Sequence, residues 1–481
     1  MRKAILWGFV ALYGCAAAPA YRSPAVPAPA AFRAVADSEP APSHVETATG
    51  PVATTPADSE ETAASASEYW DQLGDTTLSR LVHEVARANL DVQAARARVN
   101  AAHSDRVRSV LDLTPGATVS AGYSRQRFAA PSFPGATGVF PDQTIWSTSV
   151  DASWDLDVFG RIRHGVQARG ALVDVAEEQL RDVQVTLTAD LASAYFELRG
   201  AQEQLAVARQ NADNQKQTLE LTQRRLDAGR GSTFDTERAQ AQLSSTLATI
   251  PAREAQVAAA QYRIGTLVGR SPSAVAQELD LAAPLPALPD VTPIANPETV
   301  VRYRPDVAAA ERLAAAQGAL VGAAKASYLP QVTIGGSAGY LAPEFNAVGD
   351  RSTLRYVIGP VITWPGLNLG RVKAEVDAAS ARERAARAQY SQAVLAAVSD
   401  VETSLSRYRA ARVQVERLQE ASAASERAAD LARLRYSEGA TDLLAVLDAQ
   451  RTELDAQDRL AQGRTDAATA YAALYRAVGG R

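Results

Sequence analysis

Along TIWSTSVDASWDL, apolar and polar positions alternate. Trp146, Thr148, Val150, Ala152, Trp154 and Leu156 fall on one side, and Ser147, Ser149, Asp151, Ser153 and Asp155 on the other. A period of two is that of a strand, so the stretch predicts a strand with one greasy and one wet face. LRYVIGPVITW repeats the pattern with Leu354, Tyr356, Ile358, Ile362 and Trp364 on one side. Shorter partners precede each, with Val119, Ala121 and Tyr123 alternating in TVSAGY and Val332, Ile334, Ala338 and Tyr340 in QVTIGGSAGY. Two β-hairpins are therefore expected, about 116–158 and about 331–366. Each is followed by a long charged run without proline, Arg161 to about Ala228 and Arg371 to about Glu438. Either run makes a helix of roughly 100 Å at 1.5 Å per residue. Pieces from about Asn89 to Leu113 and Ser232 to Val268 together approach that length, enough to lie end to end beside the long helix as a second stave.

The chain is written twice. Trp154 to Trp364 and Gly160 to Gly370 share one offset, 210 (364 − 154; 370 − 160), and Arg225, Gly229, Ala239 and Gln240 match Arg435, Gly439, Ala449 and Gln450 at the same offset. Upstream the offset is 215, with Asp91, Val92, Ala94, Ala95 and Pro115 matching Asp306, Val307, Ala309, Ala310 and Pro330, so one hairpin loop is five residues longer. Residues 68–270 form the first repeat, 271–296 a connecting segment and 297–481 the second. Two copies this long are a duplicated block of helices and strands, not a solenoid of short units.

A soluble sheet would pack its greasy face on a core, but the surrounding helices offer no apolar domain to cover it. Trp146 and Trp154 stand about 26 Å apart along a strand, a spacing suited to aromatic girdles on either side of a lipid-facing band. Four strands cannot close on themselves, and an open edge in lipid leaves backbone groups unpaired. Two copies would give eight strands around a filled interior, whereas three give twelve and leave a wet lumen. Strand closure by itself favours three or more copies.

The N-terminus adds an address. MRKAILWGFVALYGC has the basic start and apolar run of a signal peptide, read as residues 1–14, with Cys15 as the acylated first residue of the mature chain. Residues 15–67, rich in Pro, Ala, Ser and Thr, read as an extended lipid-anchored leash that buries too little surface to fold. Cys15 is the only cysteine, so no disulfide forms within the chain. A formal charge of −5 speaks against a nucleic-acid partner.

No catalytic constellation emerges, and the protein reads as a non-enzyme without cofactor or metal. Gly335-Gly336-Ser337-Ala338-Gly339 matches the G-x-S-x-G pattern, yet His44, His83, His103 and His164 all lie upstream, against the usual hydrolase order.

The stretches YWDQLGDTTLSRLV, NLDVQAARARVNAA, DLDVFGRIR, RPDVAAAERLAAAQGALVGAAKASYLPQ and LRYSEGATDLLAVLDAQRTEL carry a resemblance spanning nearly everything from Tyr69 onward. With them the chain resembles the TolC-like outer-membrane factors, in the lipoprotein branch that serves efflux pumps. The resemblance implies a mainly α protein with a membrane β-barrel. It would be a homotrimer whose twelve-stranded barrel in outer-membrane lipid continues into a long α-helical periplasmic tunnel. It would work as the exit duct of a tripartite efflux system, with a periplasmic adaptor and an inner-membrane transporter as partners. It places Trp146, Trp154 and Trp364 at the membrane interface, and has Gly160-Arg161 and Gly370-Arg371 turn the chain from strand into stave. It puts the tip turns that meet the adaptor at Arg225, Gly229, Arg435 and Gly439. Leu444 and Asp448, one helical turn apart, would form rings closing the periplasmic gate, with Arg451 in pairing reach of Asp448 on the same face. Arg238, matching Asp448 at the 210 offset, is a second candidate partner from a neighbouring hairpin. A protein-secretion outlet of the same fold and, in another class, a periplasmic helical-hairpin adaptor are the alternatives.

Overall fold

The structure, a computed structural model, describes residues 69–127, 141–290 and 297–480. Cys15, the signal segment 1–14, the leash 15–67 and residues 291–296 of the connecting segment lie outside the described residues.

The element order is written twice. The helices are α1 (Thr76–Ala88), α2 (Leu90–Leu111), α3 (Arg161–Asp227), α4 (Thr233–Leu267), α5 (Pro272–Glu278), α6 (Pro297–Tyr303), α7 (Pro305–Ala326), α8 (Leu369–Ser437) and α9 (Leu443–Ala477). The strands are β1 (Gly116–Gln126), β2 (Gln143–Asp155), β3 (Gln331–Ala342) and β4 (Leu354–Thr363). Equivalent helices match in length: α2 and α7 have 22 residues each, α3 and α8 have 67 and 69, and α4 and α9 have 35 each. Their Ala, Arg, Glu and Gln content supplies good helix formers throughout. Asp75, Ser232 and Asp442 cap α1, α4 and α9 by accepting backbone N–H bonds from the first turn.

The described residues form two compact units. The first takes those of Arg98–Ala176 and Ala309–Tyr390. Its four strands make one antiparallel sheet in the order β1-β2-β3-β4, so that β2 of the first repeat pairs with β3 of the second, from Trp146↔Ala342 to Asp155↔Thr333. The register gathers the expected greasy positions on one face: Val119↔Val150, Tyr123↔Trp146, Trp154↔Ile334, Ala338↔Tyr356 and Val332↔Ile362. Serines, threonines, glycines and charged residues predominate on the other face, which also carries Ile145, Leu341, Val357 and Val361; there the Ser120 and Ser149 hydroxyls lie 2.8 Å apart and Ser149 donates to Asp151. The greasy face is bare, with Val119 77% and Tyr356 78% exposed.

The turn from β2 into α3 follows the expected form. Gly160 has φ +80°, and the Asp157 carboxylate accepts from the N–H groups of Ile162 and Arg163 at 2.8 Å each. The second repeat differs from the expectation. Gly370 is already inside α8, and Gly366, with φ +46° and set in a short 3-10 turn, makes the bend instead. The reason is local: Trp364-Pro365-Gly366 replaces Trp154-Asp155-Leu156, and proline fixes φ and suits a tight turn.

The second unit takes the described residues of Val26–Ala97, Glu177–Ala308 and Ser391–Arg481. Its core is aromatic: Trp70, Tyr195, Phe196, Tyr408 and Tyr475 are fully buried among Leu78, Leu81, Leu191 and Leu198. Tyr69 stacks on Tyr471 with centroids 5.0 Å apart, and the Tyr195 hydroxyl donates to Asp75. The short helices do abut end to end. Asn89, between α1 and α2, donates from Nδ2 to the carbonyl of Leu267 at the end of α4, and Arg304, before α7, donates from Nη1 to that of Ala477 at the end of α9.

Candidate functional site

Three sets of residues carry the sequence-derived expectations: the two helical turns, the exposed face beyond the second turn, and the aromatic borders of the sheet.

The turns are near copies. A helix that ends with its last carbonyls unpaired is closed by a residue in the left-handed region, where glycine carries no Cβ penalty. Gly229 (φ +69°) and Gly439 (φ +78°) take that role. Arg230 N–H then reaches back to the Arg225 carbonyl, and Ala440 N–H to the Arg435 carbonyl, at 2.8 Å in both. No atom lies within 4 Å of where a Cβ would stand on Gly229, so that turn is open to a partner. The two arginines diverge. The Arg225 guanidinium lies 4.5 Å over the ring of Tyr436 and donates to that residue's carbonyl at 2.5 Å, tying the first turn to the second, whereas Arg435 is exposed.

Tyr436, which the sequence pattern did not single out, is 6% exposed and anchors a small core with Ala239, Leu443, Val446 and Leu447. Its identity as a long-range partner has no local signal, because Arg225 and Thr222 reach it from the other repeat.

On α9, Leu443, Val446, Leu447 and Gln450 face inward, which leaves Leu444 (51% exposed) and Asp448 together on the outer face, four residues apart. Arg451 is exposed as well, but among the described residues no ion pair joins it to Asp448, a correction to the expected pairing. Holding two solvated side chains together costs rotamer freedom that a screened surface pair scarcely returns. Within the chain Arg238 does not meet Asp448 either: its guanidinium stacks 5.4 Å over Phe234, one turn away. Leu444 and Asp448, the positions expected at the gate, thus point out of their own hairpin with no side-chain partner drawn from it.

The aromatic borders are built at both ends of the greasy face. At one end Trp146 lies 4.7 Å from Tyr123 and 5.1 Å from Phe345, adding Phe345 to the expected set. At the other, Trp154 Nε1 donates to the Leu113 carbonyl at 2.8 Å, and Trp364 Nε1 to the Tyr328 carbonyl at 3.0 Å. Leu113 and Tyr328 are themselves equivalent at the 215 offset. Each indole clamps the helix-to-strand turn that leads into its partner strand, a role beyond a passive girdle. No described helix is long and apolar enough to cross a membrane.

Comparison with known proteins bears on this arrangement. Residues 81–270 and 297–480 match the family model described as outer membrane efflux protein. Nodulation protein T of Rhizobium leguminosarum bv. trifolii is 28% identical over 475 residues, covering 97% of this chain and 95% of its own length. The pyoverdine export outer membrane protein OpmQ of Pseudomonas aeruginosa is 30% identical, with coverages of 87% and 88%. Among solved structures, the outer-membrane channel OprN superposes with a TM-score of 0.84 at 35% identity, over 97% of this chain and 99% of its own.

Proposed function

From the premise that the chain belongs to the outer membrane efflux protein family, and so forms the outer-membrane exit duct of an efflux system, we propose that it works as a homotrimer, docked through its helical turns on a periplasmic adaptor and, through that adaptor, serving an inner-membrane transporter. The observation that carries this is the sheet of the first unit. It has four strands, two unpaired edges and a bare apolar face bordered by Trp146, Tyr123 and Phe345 at one end and Trp154 and Trp364 at the other. Unpaired edges are not tolerated in lipid, and three copies close a twelve-stranded barrel with a lumen faced by Ser120, Ser149 and Asp151. A helical-hairpin adaptor would have no use for such a face.

In this reading Leu444 and Asp448 narrow the periplasmic entrance, because three copies of an apolar and an acidic side chain one turn apart make a dry ring beside a charged one. Gly229, Arg435 and Gly439 present the turns to the adaptor, while Arg225 holds the two turns together. Cys15 carries a lipid anchor that supplements the barrel. Native mass spectrometry of the protein in detergent tests the assembly: a complex of three chains is expected, and a stable monomer would overturn it.

A further inference from the structure

Near the turns, α3 and α9 pack through buried amides and hydroxyls instead of the aromatic core found higher up the same helices. Gln450 donates from Nε2 to Thr218 Oγ1, and Asn211 donates from Nδ2 to Gln457 Oε1, both at 2.8 Å. These two bonds fix an antiparallel register. Three residues on from Gln450 and three back from Thr218, Glu453 of α9 lies opposite Gln215 of α3.

This layer is buried and its hydrogen bonds do not balance. Gln215, Gln450 and Glu453 are 2%, 1% and 3% exposed. The Gln450 amide is committed to Thr218, which leaves its Oε1 without a donor; Gln215 has neither atom paired, and Glu453 Oε2 accepts no hydrogen bond. Gln457, oriented by Asn211, turns its Nε2 toward Glu453 Oε1 at 3.5 Å. Three acceptor oxygens therefore face one unused amide NH2 group, that of Gln215. An ionised carboxylate adds nothing to donate, whereas a neutral carboxyl supplies the missing O–H.

We propose that Glu453 is a proton-binding site in the seam between the two repeats, and that its neutral form ties α9 to α3 through the Gln215 amide.

The charged surroundings agree. From α8, Arg433 stands 3.6 Å from Glu453 Oε2, but Asp430 holds it at 2.8 Å, and Glu426 follows on the same helix. From α3 only the neutral Asn211, Gln215 and Thr218 face the layer, with Lys216 exposed. From α4, Arg253 is taken up by Asp458. On α9 itself Asp448, Arg451 and Asp455 are exposed. Burial pushes the Glu453 carboxyl above the ordinary carboxylate range; Arg433 opposes this, while Asp430 and Glu426 add to it.

A carboxyl whose folded value is raised keeps its proton in the folded chain where the unfolded chain has lost it. Its stabilisation is complete below the ordinary carboxylate value and is lost as pH rises through the folded one. Acid thus tightens the seam and alkali loosens it. The site is on the buried face of α9, opposite Leu444 and Asp448, and is independent of whether those two form the gate.

Hydrogen exchange of the full-length protein in detergent, corrected for the intrinsic pH dependence of exchange and read on peptides spanning 443–460, tests the site. From about pH 4, below the ordinary carboxylate value, to about pH 8, wild-type protection should fall severalfold. Glu453→Gln, which keeps a donor at every pH, should be flat. Arg433→Gln, which removes the opposing cation, should move the loss to higher pH. A flat wild-type profile, or the same slope in Glu453→Gln, would overturn the proposal. Should Glu453→Gln fail to assemble, an unshifted window in Arg433→Gln overturns it equally.

Discussion

Gly335 and Gly339 are four residues apart on β3, on the same polar face, yet their surroundings differ sharply. Nothing lies within 4 Å of where a Cβ would stand on Gly335. On Gly339 it would come 2.6 Å from Ser149 Cα and 2.8 Å from the carbonyl carbon of Thr148, and nearer still to the Thr148 oxygen. Those are backbone atoms of β2, held in the ladder by the pairing Ser149↔Gly339. Gly335→Ala should therefore stabilise the strand slightly, by about 0.4–1 kcal/mol from the reduced freedom of the unfolded chain. Gly339→Ala must force β2 and β3 apart against a spacing of about 4.8 Å, which a sheet does not relax. With overpacking of about 1–3 kcal/mol and ladder bonds of about 1 kcal/mol at risk, a loss of about 3 kcal/mol follows, roughly two decades in the assembly equilibrium. Thermal dissociation of the detergent-solubilised protein, followed by gel mobility, reads the difference. Equal midpoints for the two variants would refute the register that joins the repeats at β2 and β3, since the clash exists only in that register.

Trp154→Phe and Trp364→Phe each remove one indole N–H bond to a turn carbonyl, at about 1 kcal/mol apiece, and should speed hydrogen exchange at those turns about fivefold; no change would mean the indoles do not clamp. The Trp364 variant should be the worse of the two, because the bend after β4 has no counterpart of the Asp157 cap. Leu444→Ala combined with Asp448→Ala should raise single-channel conductance in planar bilayers, whereas Arg417→Ala, on an exposed intrahelical pair, should not; intact trimers with parental conductance and cation preference would remove these residues from the gate. Cys15→Ser should abolish acylation, and mass spectrometry of the mature wild-type N-terminus showing an unmodified Cys15 would rule out the anchor.

Periodicity made the elements legible because it is a local property. The long helices begin and end within two residues of the proline-free runs, and every position assigned to the greasy face by alternation that lies within a strand falls on one side of the sheet, Leu156 and Trp364 standing just past the strand ends. What alternation and offset cannot convey is which side chain crosses to another element. Arg225 looks like a free cation at a turn until Tyr436, 211 residues away, is folded beneath it. Asp448 and Arg451 look like a pair until water competes for both. Glu453 reads as one more charge on a polar helix, and its burial follows only from the register of α3 against α9.

The duplicated joints show the same limit from the other side. Asn89 and Arg304 are equivalent at the 215 offset, Leu267 and Ala477 at 210, and in both copies a side chain before a helix donates to the last carbonyl of another. The repeat has kept the bond and changed the residue, so matching letters finds the glycines and tryptophans and passes over this contact. The exchange is not neutral. Asn89 satisfies its carbonyl with an amide and spends its own oxygen capping Asp91 and Val92. Arg304, nine-tenths buried, must also be compensated as a charge, and it takes Asp306 in a two-point contact and Asp400 as a second partner. Removing both aspartates would strand a buried cation, a cost of a kind the first joint never risks. The two halves of the chain therefore share an architecture while differing in which electrostatic perturbations they tolerate.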